Sequence, residues 1–220
     1  MFDGPHFPAT SIDVVLLTLK DGELHVALQE RDKDPFKGMN AFVGGIVRLD
    51  TDADLDATVA RVLSEKAGLS GIYAEQLYTF GSSDRDPRGW TIAVAYIALV
   101  PIDKLSEARS DSLKFVPVDR VGALAFDHGR ILETAVSRVR GKGAYSVLPA
   151  RFLAEEFSLP EMKRVYEQVL GTRIDMSSFI RKVNDLKIVE PTGNRRRVDG
   201  TKPSVIYRLA PGADTFDRKL

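Results

Sequence analysis

Paired glycines mark the first stretch of the 220-residue sequence whose residue types are suited to chemistry. Gly44 and Gly45 end a segment that begins at Pro35, and a helical pattern follows them. Glycine has no Cβ atom, so a ligand phosphate can approach its backbone closely, and the N-terminus of a helix favours negative charge. The pattern predicts a phosphate-binding site before the first helix.

A second cluster, nearer the C-terminus, combines small polar residues with cations. Ser177 and Ser178 open a helical pattern whose polar face continues with Arg181 and Lys182. Small polar side chains suit base edges, and cations hold phosphates. The loop residues suited to the sugar-phosphate backbone or the minor groove are Arg195, Arg196, Arg197 and Lys202. The cluster predicts binding to double-stranded DNA; the alternative is a helical protein-interaction module with a solvated basic loop.

Helical periodicity and a hairpin position these C-terminal residues. Ser158 opens an S-x-x-E capping box, and apolar residues at helical spacing run from there to Gly171. After a four-residue turn, Asp175 can cap a second helix. Strands at 188–189 and 205–209 follow. Helix, turn, helix and hairpin predict a winged helix-turn-helix.

Strands and helices alternate in the first part of the chain. Apolar and β-branched runs predict strands at 12–19, 24–29, 71–80, 90–100 and 113–118. The Asp21-Gly22 pair between the first two strands is typical of a hairpin. Helical spacing of apolar residues predicts helices at 54–67 and 131–140. This order predicts an α/β (α+β) sandwich with a mixed sheet.

A Gly-rich stretch at 140–144 predicts the boundary between the two modules. We therefore expect a first domain at 1–146 and a winged helix at 147–220.

The whole-chain charge of zero is the sum of two unlike parts. Residues 1–149 hold 17 basic and 21 acidic residues, a net charge of −4, whereas residues 150–220 hold 14 and 10, a net charge of +4. Residues 173–208 alone hold nine basic and four acidic residues, a net charge of +5. Such a split suggests a module with an anionic partner. Random scatter of charge along the chain is the alternative.

The composition excludes several classes of protein. Hydrophobic residues make up 44% and charged residues 28%, which is globular rather than disordered composition. No apolar run approaches the roughly 20 residues needed to cross a bilayer, and the N-terminal residues lack the pattern of a signal peptide. The absence of cysteine excludes disulfides and thiolate metal sites. We expect a cytoplasmic protein without a membrane partner.

Residues 45–69 resemble the Nudix box, G-x5-E-x7-R-E-U-x-E-E-x-G-U, in which U is aliphatic. The positions that match in register are Arg61, Leu63, Glu65, Gly68 and Leu69. Gly45 also matches, although its spacing to Arg61 is two residues longer than the family's. The resemblance implies a Nudix-like α/β/α sandwich.

The departures from this box concern its metal site. In Nudix enzymes three carboxylates on one helical face hold Mg²⁺ against a diphosphate. Glu65 keeps one of these positions, but Val62 and Lys66 occupy the other two, and Ala53 stands in the earlier glutamate position. The resemblance therefore implies no metal, no cofactor and no efficient hydrolysis, with Glu65 paired to Arg61 instead.

The chain as a whole resembles the Nudix-related transcriptional regulators of NAD metabolism, the NrtR type. The stretches that carry the resemblance, besides the winged helix pattern, are 76–81, 85–90, 125–128 and 159–171. The resemblance implies a homodimeric repressor of NAD biosynthesis or salvage genes. Its winged helices would bind palindromic operators, and ADP-ribose in a catalytically degenerate Nudix domain would weaken that binding.

The resemblance suggests an effector site made of Arg31, Gly44, Gly45, Arg61, Glu65, Phe80, Arg85 and Arg88. Gly44 and Gly45 would cradle the pyrophosphate. Arg31 would either hold a phosphate or form a surface ion pair. Arg61 and Glu65 would reach the phosphates or pair with each other.

Phe80, Arg85 and Arg88 are likewise open to more than one interpretation. Phe80 would stack on the adenine or belong to the core. Arg85 and Arg88 would clasp the ligand or the partner subunit, or lie in a solvated turn. We expect a structural hydrogen bond at His128 rather than catalysis, and we place Trp90 in the core.

Three other functions stay open at this stage. The first is a Nudix-type ADP-ribose hydrolase that binds metal through Glu65 and an acidic loop residue. The second is a regulator of the same architecture that senses a sugar or sugar phosphate. The third is an adaptor that does not bind DNA.

Overall fold

The computed structural model of the chain describes residues 8–106, 113–197 and 203–216. The strands are β1 (Ala9–Lys20), β2 (Glu23–Glu30), β3 (Asn40–Ala41), β4 (Val43–Ile46), β5 (Tyr73–Ser82), β6 (Thr91–Leu99), β7 (Leu113–Pro117), β8 (Phe157–Ser158), β9 (Val189–Arg196) and β10 (Ser204–Leu209). The helices are α1 (Leu55–Val62), α2 (His128–Gly143), α3 (Leu159–Leu170) and α4 (Met176–Leu186). Short 3₁₀ turns lie at Lys104–Ser106, Val118–Arg120 and Leu148–Phe152.

Strands β1 to β7 form one mixed sheet. The order along its main path is β3-β2-β1-β6-β5, with β4 paired to β1 and β7 paired to β2. β1 runs parallel to β6, whereas its pairings with β2 and β4 are antiparallel. The predicted hairpin is confirmed, since Asp21 and Gly22 both have positive φ, as this tight turn requires.

One helix covers each face of this sheet. Val59 and Val62 of α1 pack on one face, and Ile131 and Val139 of α2 pack on the other. Asp54 caps α1, accepting a hydrogen bond from the backbone N–H of Ala57 at 2.7 Å. The predicted α/β/α sandwich is confirmed.

The C-terminal elements form a winged helix. Ser158 and Glu161 make the predicted capping box of α3, and Gly171 ends that helix in the left-handed conformation. Asp175 caps α4, accepting from the backbone N–H of Ser178 at 2.8 Å. β10 lies between β8 and β9 in a three-stranded sheet. Tyr166 and Phe179 join the two helices in a buried edge-to-face contact.

The first and second parts of the chain share a hydrophobic core. Val165 and Val169 of α3 belong to the same buried cluster as the α2 face of the large sheet, together with Leu148 and Phe152 of the connecting 3₁₀ turn. The winged helix is therefore packed against the sheet rather than tethered to it. Among the residues described, no helix is long and apolar enough to cross a membrane.

The structure corrects several predicted elements. Residues 40–46, for which no strand was predicted, contain β3 and β4. The first helix changes to a π-helical turn at Leu63–Ala67. The Gly-rich stretch 140–144 lies mostly inside α2 rather than in a linker. β9 is longer than the predicted two residues, so Arg195 and Arg196 lie on a strand and not in the loop.

Candidate functional site

A cavity of about 570 Å³ opens beside the N-terminal half of β1, between β4 and the segments 85–91 and 126–128. Its charged lining residues are Asp13, Arg31, Lys66, Arg85, Asp86 and Arg88. Its aromatic lining residues are Phe42, Trp90, Phe126 and His128, and the backbone of Gly44 and Gly45 contributes one wall. Its volume lies within the range of small-molecule sites.

Arg85 forms the floor of this cavity. Its side chain is 5% exposed and its guanidinium donates to Asp127 at 2.8 Å, to Thr91 at 3.0 Å and to Asp13 at 3.4 Å. Arg85 therefore lines the cavity, as expected, but protein acceptors occupy its donors. The solvated turn that was its alternative is wrong.

His128 connects the floor to the wall. Its Nδ1 accepts a hydrogen bond from the backbone N–H of Phe42 at 3.1 Å, and the two rings stack with centroids 4.6 Å apart. Because Nδ1 accepts, the ring proton sits on Nε2, 3.7 Å from the Asp13 carboxylate. The geometry is that of a structural hydrogen bond.

The carboxyl of Asp13 is held ionised inside the cavity. Burial raises its pKa, but the interaction with His128 and the charge of Arg85 outweigh burial, so that the pKa lies below its usual value. An ionised acceptor thus stands among the cations of the site.

Lys66 and the paired glycines form the wall opposite the floor. The Lys66 ammonium donates to the carbonyl of Gly44, and burial lowers the pKa of this lysine. A Cβ atom on Gly44 would lie 2.7 Å from Asp13 Oδ1 and from the carbonyl of Ile12. Glycine is therefore required at this position by the close pairing of β4 with β1, a reason that the sequence pattern did not reveal.

Two arginines meet at one aromatic ring of the cavity. The guanidinium of Arg31 lies 4.6 Å from the centroid of Phe126, and that of Arg88 lies 5.8 Å from it. Arg31 also donates to the carbonyl of Pro35 at 2.8 Å, and Arg88 pairs with Asp86 at 2.7 Å. Both arginines line the cavity, as expected.

Arg61 and Glu65 lie outside the cavity lining, and the structure shows the second of their two interpretations, in which they pair with each other. Arg61 binds Asp52 through two hydrogen bonds of 2.7 Å and lies 3.5 Å from Glu65. Glu65 is held by both terminal nitrogens of Arg48, at 2.8 and 2.9 Å. The expected Arg61–Glu65 pair exists, but its two members are fixed mainly by the loop that precedes α1.

The structure places Phe80 in the core, the second of its two interpretations, and shows that the core assignment of Trp90 was wrong. Phe80 is 4% exposed and belongs to the core between the sheet and α2, so its ring is not available to a base. Trp90, which was placed in the core, is 53% exposed and lines the cavity.

The sequence interpretation missed Asp13 and Phe126 and gave Lys66 no role in ligand contact. Asp13 carried a detectable signal, since it is a charged residue within the otherwise apolar strand pattern at 12–19. Phe126 lies in the stretch 125–128 that carries the family resemblance, but its left-handed backbone and its position beside two arginines become visible only in three dimensions.

A candidate nucleic-acid surface lies on the winged helix. Ser177 and Arg181 are exposed on α4, and Ser178 and Lys182 are partly exposed there. Asp175 uses its carboxylate to cap this end of the helix, and hydrogen bonds from Ser178 lower its pKa. The structure thus places the four predicted helix residues together on one element.

The β9–β10 hairpin, called the wing below, carries the remaining cations. Arg195, Arg196 and Arg197 are all exposed, and Arg196 is paired with Glu161 of the α3 capping box at 3.1 Å. Lys202 lies outside the described residues. The pairing of Arg196 leaves Arg195 and Arg197 as the better placed candidates for phosphate contacts.

The chain combines a ligand-sized cavity in an α/β/α sandwich with a winged helix that has a basic surface. This combination defines a class of protein, the single-chain, ligand-responsive transcriptional regulators. Comparison with known proteins narrows this class. Residues 149–209 match the family model described as the NrtR DNA-binding winged helix domain. The chain is 32% identical over 207 residues to the ADPR responsive transcriptional repressor NtrR of Acinetobacter baylyi, covering 92% of this chain and 82% of the relative. The chain belongs to the NrtR family of Nudix-related transcriptional regulators.

Solved structures agree with this assignment. NrtR of Shewanella oneidensis, solved in complex with a 27mer DNA, is 35% identical and superposes with a TM-score of 0.87, covering 96% of this chain and 99% of that one. The Nudix domain of the same protein, solved in complex with ADP-ribose, is 34% identical with a TM-score of 0.55, covering 60% of this chain and 89% of that one.

Proposed function

We propose that this chain is an ADP-ribose-responsive repressor of NAD biosynthesis or salvage genes. The observation that carries the proposal is the shared core: the cavity module and the winged helix are packed as one body, so a ligand in the first can influence the second. The relatives whose names and structures include ADP-ribose and DNA support the choice of both partners.

The chemistry of the cavity suits a nucleotide diphosphate. Arg31, Lys66 and Arg88 supply positive charge, and the backbone of Gly44 and Gly45 is accessible beside them. A pyrophosphate at this wall would be held by cations and backbone groups, whereas Asp13 could accept hydrogen bonds from ribose hydroxyls. This distribution favours a phosphorylated sugar nucleotide over a neutral sugar.

We infer further that the Nudix domain binds its ligand without Mg²⁺ and does not hydrolyse it. The donor set does not fit the metal: Glu65 is already bound by two guanidiniums, Val62 is buried and apolar, and Lys66 places an ammonium at the third position. Mg²⁺ requires oxygen ligands in octahedral geometry, of which the protein normally supplies one or two as carboxylates. ADP-ribose turnover with Mg²⁺ should stay at the uncatalysed level, and turnover comparable to that of an intact Nudix hydrolase would favour the enzyme alternative.

We also propose that the chain acts on chromosomal DNA in the cytoplasm as a homodimer. Two copies related by a two-fold axis would present two α4 helices to the half-sites of a palindrome. ADP-ribose can release the operator only if it binds more tightly to a dimer whose helices miss the half-site spacing.

A DNA-binding titration tests the proposal. Fluorescence anisotropy of a labelled NAD-synthesis promoter fragment should show tight binding that ADP-ribose weakens, while binding to unrelated DNA of equal length is weak throughout. Ribose 5-phosphate and a neutral pentose serve as competing effectors, since a response to these alone would indicate the sugar-sensing alternative. The absence of binding to any promoter DNA at low salt would favour the adaptor.

A further inference from the structure

We propose that Trp90 is the surface on which the base of the bound nucleotide stacks. The inference rests on the proposed function and names the part of the ligand that this end of the cavity selects: a purine ring, rather than the sugar or the phosphates.

The outer edge of the Trp90 indole lies against β5. A Cβ atom on Gly81 would lie 3.2 and 3.4 Å from Cη2 and Cζ3 of the indole. The ring therefore approaches the backbone of β5 at a residue without a side chain. With this edge held by the strand, 53% of the residue is still exposed, and it lines the cavity.

The other aromatic residues of the cavity are already in ring contacts. The ring of Phe42 is stacked on His128, and Phe42 is 2% exposed. The ring of Phe126 has the Arg31 guanidinium over it and the ring of Phe36 in edge contact, with centroids 4.9 Å apart. Among the described aromatic residues of the lining, Trp90 is the one that combines a supported ring with large exposure.

The register of β1 sets the distance between Trp90 and the phosphate-binding wall. Asp13 pairs with Gly44, while Ala9 pairs with Thr91, the residue after Trp90. Asp13 and Ala9 are four residues apart, which is roughly 13 Å along β1 at the rise of a β-strand, and β4 and β6 lie on opposite edges of β1, roughly 10 Å apart. Gly44 and Trp90 line the same cavity from these two positions, so an extended nucleotide with its diphosphate at Gly44 can direct its base toward Trp90.

Stacking on an indole has a direct optical signature in this chain. Trp90 is its one tryptophan, so selective excitation of tryptophan reports on this residue alone. ADP-ribose and ADP should quench the emission at saturation, whereas ribose 5-phosphate should bind without quenching because it has no base. Binding itself is measured in parallel by calorimetry.

Matched variants separate stacking from folding. Trp90→Ala should weaken ADP-ribose binding by about tenfold to a hundredfold, the range expected for the loss of one stacked base. Trp90→Phe should recover most of that loss, and neither variant should change the affinity for ribose 5-phosphate. Unchanged thermal melting of both variants would show that they fold.

The outcomes distinguish this inference from the proposed function. ADP-ribose binding without quenching, or an unchanged affinity of Trp90→Ala, overturns the stacking role and leaves the proposed function standing. The absence of ADP-ribose binding to the wild-type chain overturns both. Emission that shifts with protein concentration in the absence of ligand assigns Trp90 to a contact between subunits and also overturns the inference.

Discussion

Single residues on the cavity floor neutralise one another. Arg85 lies between the carboxylates of Asp13 and Asp127, and all three are largely withdrawn from solvent. Removing one partner of a buried ion pair leaves an uncompensated charge, which costs far more than the pair itself contributes. The floor is therefore a rigid support on which the ligand-facing residues depend.

Arg85→Met should lower the free energy of unfolding by about 3–5 kcal/mol, because it leaves two carboxylates without their shared cation. Arg120→Met is the matched control: Arg120 pairs with Glu23 at the surface, where loss of the pair should cost less than about 1 kcal/mol. Urea unfolding measures both. Equal stability of the two variants would contradict the structural role of the floor.

The hydrogen bonds of Asp52 predict that the stability of the protein depends on pH. Its hydrogen bonds with Arg61, which outweigh the effect of desolvation, and further ones from Arg48 and Thr58 hold its pKa well below the usual 3.8. In the native state the Asp52 carboxyl thus stays ionised at a pH where the same group in the unfolded chain takes up a proton. The stabilisation of the fold by this carboxylate is therefore lost as pH falls.

The stability difference between wild type and Asp52→Asn should therefore be largest near neutral pH, should begin to shrink as pH falls below about 5, and should keep shrinking below about pH 3. Urea unfolding at a series of pH values measures it. Asp50→Asn, an exposed neighbour on the same loop, should show a small difference. A stability difference between wild type and Asp52→Asn that stayed constant with pH would exclude this link between the protonation of Asp52 and stability.

At the scale of elements, α2 and α3 pack closely together at Gly143. Gly143 ends α2 where a Cβ atom would lie 3.1 Å from Pro149 and 3.3 Å from Val169. Gly141, two residues earlier in the same helix, has no atom within 4 Å of that position and is exposed. The two glycines thus have opposite roles within one turn of helix.

Gly141→Ala should stabilise the protein by about 0.5–1 kcal/mol, because alanine loses less backbone entropy than glycine in a helix. Gly143→Val should destabilise it by about 1–3 kcal/mol through overpacking against α3. Thermal melting of both variants measures the two effects. A stabilised Gly143→Val would mean that the helices separate more easily than the shared core indicates.

Local signals predicted the elements well, and long-range contacts explain what they missed. The caps at Ser158 and Asp175 depend on neighbours three residues away, and the structure confirms both. The exchange of roles between Phe80 and Trp90 could not be predicted in the same way. It depends on which face of β5 packs on α2, on a register shift between Gln76 and Tyr78, and on β6 starting one residue after Trp90.

The candidate site was predictable to a similar extent. Arg31, Arg85 and Arg88 were predicted as members of the effector site that the family resemblance implies, and all three line the cavity. The partners that decide what these cations do, such as Asp127 for Arg85 and Phe126 for Arg31, lie 42 and 95 positions away along the chain. No spacing rule links them.

At the scale of the whole molecule, the two modules share a core but differ in net charge. The first part carries a net charge of −4 and the second a net charge of +4. A zero average charge therefore conceals a basic surface that attracts a polyanion locally. Binding to DNA should consequently depend steeply on salt although the chain is neutral.

Two variants distinguish attraction to phosphates from recognition of sequence. Arg197→Gln removes an exposed wing cation and should reduce the slope of log Kd against log salt by about 1, with equal losses on operator and unrelated DNA. Arg181→Ala, on the exposed face of α4, should instead reduce the preference for operator by about 1–3 kcal/mol. Arg120→Gln, an exposed cation of the acidic module, should alter neither quantity. Because the three substitutions each remove one positive charge, equal effects on both measurements would mean that net charge, and not the placement of α4 and the wing, governs DNA binding.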